Sequence, residues 1–234
     1  MNYTYIEEIP LPTKSTRLLA QYFYFCMSLL IGAVVIYGFS QRIDRQLFHP
    51  SHPKPILLFI HAVIFSAWVI FYIFQSILVR TGNVRIHRVT GWLGVALGVA
   101  IPIVGTITAV TMRRFDLQFR DLARTAPLLR TALLDLGSFA IPFALAVYWR
   151  ARPELHRRLM LIATCALTAA AFVRFPPAFH SWPYFYVGVD SLILLGALRD
   201  LIVDHRVHRV YVTALPVLML AQVAVMNSIL HFWR

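Results

Sequence analysis

Histidine and arginine carry most of the chemistry this chain could do. His87 and His156 each open an apolar stretch, and arginine follows each directly: His-Arg at 87–88 and His-Arg-Arg at 156–158. A neutral imidazole ligates transition metals, so two of them on neighbouring helices could hold one metal from opposite sides. Small or flexible residues follow each histidine at helical spacing. Gly91, Gly94, Gly98 and Gly105 fall on one face beyond His87, and Met160, Ala163, Leu167, Ala170 and Arg174 share a face with His156. A flat macrocycle between two helices needs facing histidines, small residues beneath it and cations at its rim for propionates. The expectation is a haem b ligated by His87 and His156, with Arg88, Arg157 and Arg158 near the propionates. The plain alternative is basic charge at a membrane face, with glycines serving close helix packing.

A second set of polar residues lies inside apolar runs. His61, Trp68 and Gln75 recur at seven-residue steps and so share one helix face. His61 with His231 or His180 would make a second ligand pair. Asp135, Arg174 and Asp190 also stand within apolar stretches, where charges are costly and pair inside the bundle. At least one aspartate is expected against Arg174, either as a structural bridge that fixes helix register or as part of a proton or substrate path. His-Glu-x-x-His, Gly-x-Ser-x-Gly, a Walker sequence and a glycine-rich dinucleotide loop are all absent from the sequence. His49 and His52 read as loop residues, and Cys26 and Cys165 as two buried thiols without disulfide or zinc spacing.

The elements that must position these residues are membrane helices. The chain is 59% hydrophobic and 14% charged, with mean hydropathy +0.68. A soluble domain carries about a quarter charged residues, so the apolar surface must face lipid. The net charge of +12 comes from arginines scattered through short loops, which reads as interfacial charge and not as a nucleic-acid surface. After a polar segment over 1–17, a single all-α transmembrane domain occupies 18–234. Its spans are expected at 18–41, 56–79, 87–112, 131–149, 156–175, 184–203 and 210–233, a polytopic bundle of about seven. The fifth is the shortest, with only Leu159 to Val173 free of charge, and the basic stretch over 113–130 is expected to lie along the interface. Lys and Arg number 12 on the side of the N-terminus and 10 on the other, favouring a cytoplasmic N-terminus in a bacterial inner membrane.

This order of spans sorts the polar residues into two layers. His61, Asp135, Arg174, Asp190 and His231 fall near one face. Gln75, His87, His156, His205 and His208, with Arg88, Arg157 and Arg158, fall near the other.

At HAVIFSAWVIFYIFQSILV, RIHRVTGWLG and ELHRRLMLIAT the chain resembles a bacterial family of uncharacterised polytopic membrane proteins. That family shows a histidine opening one span, an H-R-x-x-G-x-x-G hairpin and a later H-R-R-L-M. The resemblance implies a helical integral-membrane protein and brings no activity with it. More loosely, histidines near both faces resemble the di-haem b-type cytochromes that pass electrons across membranes. Two readings follow. One is haem-based electron transfer with a redox partner or membrane complex. The other is a non-redox membrane protein, a small transporter or assembly factor, in which the Asp–Arg group carries any function.

Overall fold

The computed structural model describes residues 14–41, 48, 52–119, 122–176 and 184–232; the side chains at 119, 122–128 and 230–232 lie outside it. All its regular structure is helical: α1 (Lys14–Ser40), α2 (Ile56–Arg80), α3 (Val84–Phe119), α4 (Leu122–Tyr148), α5 (Pro153–Ala166), the short α6 (Ala169–Phe172), α7 (Tyr184–Asp204) and α8 (Arg209–Phe232). Among the described residues six segments are long and apolar enough to cross a membrane, with α5 and α6 together forming one of them. The remaining expected span, at 184–203, is α7 and matches in length. Its 21 residues also carry Asp190, Arg199 and Asp200, which the bundle interior receives, and Asp204, which is exposed at its end.

Successive helices pack as neighbours from α1 to α5, and α1 closes the bundle against α5, α6 and α7. The α2–α3 connection is the tight hairpin expected. Arg80 ends α2, Val84 starts α3, and Gly82 takes a φ of +79° that a side chain would strain. Thr81 N–H bonds to Ile77 O at 2.9 Å and Asn83 N–H to Leu78 O at 2.8 Å, closing the carbonyls left at the helix end. Pro153 opens α5 at a position where its missing N–H costs nothing, with Glu154 in the first turn.

The interfacial segment expected over 113–130 is not a separate element. α3 runs on for 36 residues to Phe119, and α4 resumes at Leu122. At about 1.5 Å per residue, a helix of that length outreaches the hydrocarbon core by several turns. Charges at its far end therefore sit beyond the lipid without breaking the helix.

Two apolar interiors meet at α5. Met27, Ile31, Leu161, Ile162, Ile193 and Tyr211 pack where α1, α5, α7 and α8 converge. Trp68, Ile101, Leu136, Phe139, Phe143 and Ala163 pack where α2, α3 and α4 close on its other side. In an 18-residue stretch of the span Pro153–Phe172, 67% of residues are buried, against 28% or less in the corresponding stretch of each of the other five. The element shortest and least apolar by sequence is therefore the axis of the bundle. Its low hydropathy follows from its position, because a central helix meets polar partners and no lipid. Large side chains such as Ile70, Ile141 and Leu220 point outward on the peripheral helices, as a lipid-facing surface requires.

Candidate functional site

Some members of each expected layer meet one another, although their partnerships differ from those expected. On the layer near the α2–α3 turn, His87 and His156 approach each other. Their ring centroids are 6.3 Å apart and their planes 74° from parallel. The α4–α5 connection places His156, whose Nδ1 lies 2.9 Å from the Ala146 carbonyl of α4. A carbonyl only accepts, so Nδ1 is the donor and Nε2 is the nitrogen left to face a ligand. That is the tautomer a metal-binding histidine adopts, with the second nitrogen anchored to the backbone. His87 is half-buried in the first turn of α3, and its Nδ1 is buried with no hydrogen-bond partner in the structure.

The glycine stripe beyond His87 is mostly filled. A Cβ on Gly94 would lie 2.5 Å from the ring of Phe71, and one on Gly105 would lie 2.6 Å from Leu136. On Gly98 it would run into the Phe143 ring. These three glycines let α3 pack closely on α2 and α4. Gly91, one turn in from His87, has nothing within 4 Å and is the open position of the stripe. The face shared by His156 and Arg174 is also broken, because α5 ends at Ala166 and Thr168 turns back to donate to the Cys165 carbonyl at 2.6 Å.

Of the three arginines expected at a propionate rim, two are taken into an ion network. Arg158 is 2% exposed and uses all five of its donors. Its Nε bonds to Asp200 Oδ2 at 2.7 Å, and Nη2 bonds to Asp200 Oδ1 at 2.8 Å and Asp204 Oδ2 at 3.0 Å. Its Nη1 serves both the Glu154 backbone carbonyl and the Glu154 carboxylate. Arg199 joins from α7, donating to Asp200 at 3.0 Å and Asp204 at 2.7 Å. Arg157 pairs with Glu154 at 2.5 Å and lies 5.3 Å from the centre of the Tyr24 ring. Three cations and three carboxylates thus neutralise one another where α5 meets α7. Arg88 is exposed on the surface beside His87.

This ion network is the feature the sequence reading missed. The signal was present: Glu154 and Arg158 stand four apart on α5, as do Asp200 and Asp204 on α7, so each pair shares a helix face. Arg199 and Asp200 fall inside the expected span 184–203, where the sequence names no partner for either.

On the opposite layer the ion pair expected between Arg174 and an aspartate is not formed among the described residues. The Tyr186 hydroxyl donates to Asp135 at 2.9 Å, and Gln222 Nε2 donates to Asp190 at 3.0 Å. Arg174 lies 4.4 Å from the Phe39 ring centre and donates to the Ala170 carbonyl in its own segment. Neutral donors thus satisfy the carboxylates, and an aromatic ring with a backbone oxygen engages the cation. His61 stacks on Phe65, with centroids 4.0 Å apart, and its Nδ1 has no hydrogen-bond partner. The side chain of His231 and all of His180 lie outside the described residues, as does His49. Trp68 and Gln75, on the face of His61, are buried, and Gln75 donates to Thr90 Oγ1 of α3 at 2.7 Å.

Cys165 is buried as expected, whereas Cys26 is exposed on the apolar flank of α1, so the two thiols stay apart. Among the described residues, no group of three or more His, Cys, Asp or Glu side chains could hold a metal ion. The fold and site define a polytopic helical membrane protein with a buried ion network and an adjoining histidine pair. Family models, curated proteins and solved structures yield no match to the chain.

Proposed function

We propose that the protein is a membrane electron carrier that binds one b-type haem through His87 and His156. The separation of the two rings carries this reading. Two imidazoles that ligate one metal from opposite sides, each through a bond of about 2 Å, hold their centroids about 6 Å apart. The observed 6.3 Å matches that spacing, which edge-to-face packing of two rings also allows. The donor set fits as well. Ala146 fixes the His156 tautomer, and His87 keeps a buried ring nitrogen without a partner.

When bound, the haem supplies a one-electron couple, with reduction potential set by its axial ligands and their hydrogen bonds. The residues of this chain do the rest. His87 and His156 would hold the group, the Ala146 carbonyl orients His156, and Arg88 offers charge toward the aqueous edge. Arg158 is withdrawn from the propionate role because it has no donor left. The site would face the cytoplasm of a bacterial inner membrane, where a soluble or membrane-bound redox partner could reach it. The transporter reading rested on an Asp135–Arg174–Asp190 group, and the pairing found at those residues gives it no support.

Absorbance of protein purified from haem-replete cells tests the proposal. A sharp Soret band that shifts on reduction, and that His87→Ala or His156→Ala abolishes, is expected. A colourless preparation overturns it.

A further inference from the structure

We infer that Arg158 is a positioning residue for His156, and that the α5–α7 ion network sets the orientation of the ligand pair. The inference rests on the haem reading for its consequence, but not for its geometry. His156 and Arg158 are two residues apart, so at about 100° per residue they leave α5 on nearly opposite faces. His156 reaches the Ala146 carbonyl of α4 on one side. Arg158 reaches Asp200 and Asp204 of α7 on the other. α5 is held from both sides at the same level, which fixes its rotation about its own axis.

The hold on the α7 side is directional. A guanidinium is a rigid planar fork, and its two parallel bonds to Asp200 permit one azimuth and one depth. Glu154 ties the same guanidinium back to the first turn of α5, which carries His156. Arg199 and Arg158 together hold the Asp200 carboxylate, which is wholly buried, so the anchor on α7 cannot swing. A lysine at 158 would keep the charge but lose the fork. The expected result is a helix still in place with a looser imidazole.

The test compares Arg158→Lys and the milder Asp204→Asn with the wild-type chain. Both are first checked for monodispersity in detergent. Electron paramagnetic resonance of the oxidised haem reports the angle between the two imidazole planes, and a purely structural role would leave it unmoved. Arg158→Lys is expected to shift or broaden the low-spin signal and to weaken haem retention about tenfold or more, with Asp204→Asn intermediate. Unchanged signals in both folded variants overturn the inference.

A second measurement needs no haem. His87→Cys with His156→Cys, in a background with Cys26→Ser and Cys165→Ala, should cross-link efficiently with a short bifunctional thiol reagent. Adding Arg158→Lys should cut the yield several-fold, and an equal yield contradicts the clamp. If the wild-type chain binds no haem, the proposed function fails and this cross-linking alone judges the clamp.

Discussion

Arg158 and Asp200 meet 42 residues apart in sequence through two parallel hydrogen bonds of 2.7 and 2.8 Å, with side chains 2% and 0% exposed. Removing one partner of a buried pair strands the other charge, at a cost of about 3–5 kcal/mol. Arg158→Met and Asp200→Leu should therefore each lower the thermal unfolding temperature in detergent sharply. The double variant should recover part of the loss, because it removes both charges. Strictly additive losses would contradict the pairing.

On the opposite layer, Tyr186→Phe leaves the Asp135 carboxyl without its donor and should cost about 1–3 kcal/mol. A double-mutant cycle between Tyr186→Phe and Asp135→Leu should show coupling, while one between Arg174→Met and Asp135→Leu should show almost none. Strong coupling to Arg174 would restore the ion pair expected from sequence.

The glycine stripe gives a contrast along one helix. Gly98→Ala forces its new methyl into the Phe143 ring and should destabilise by about 1–3 kcal/mol, as overpacking does. Gly91→Ala enters open space and should leave stability within about 0.5 kcal/mol of wild type. Equal effects at the two positions would contradict the packing described.

His208 precedes α8, and its Nδ1 accepts from the Val210 N–H at 3.2 Å as an N-terminal cap. Burial first, and then the nearby Arg158 cation, hold its pKa below the usual 6.5. The unfolded chain then binds the proton more readily than the folded one, so the stability from this residue is present above that value and is lost as pH falls below it. His208→Asn keeps a cap acceptor and cannot titrate. It should flatten the decline in unfolding temperature between pH 7 and pH 5.5, whereas an unchanged slope would contradict the cap.

Much of the fold was legible because lipid demands long apolar runs. Ile56–Arg80, Tyr184–Asp204 and Arg209–Phe232 fall within a residue or so of the expected spans. The centre of the bundle was not legible. Hydropathy counts every charge as a cost, so α5 and α7 read as the weakest spans when their charges in fact cancel against each other. The choice of partner also depends on tertiary geometry: Asp135 lies level with Arg174 by sequence, yet Tyr186 reaches it first. The histidine pair was found because each His-Arg opens a helix at the same face. The pairing of Arg158 with Asp200 was not legible because a rim cation and a buried clamp look alike in a sequence.

The most direct test of the central claim is the haem content of the wild-type chain beside His87→Ala, His156→Ala and His61→Ala, by extraction and quantitation per mole of protein. At least one haem per chain in wild type, retained in His61→Ala and lost in both His87→Ala and His156→Ala, is the predicted result. Haem-free wild-type protein, or haem that persists without His87 and His156, would contradict it.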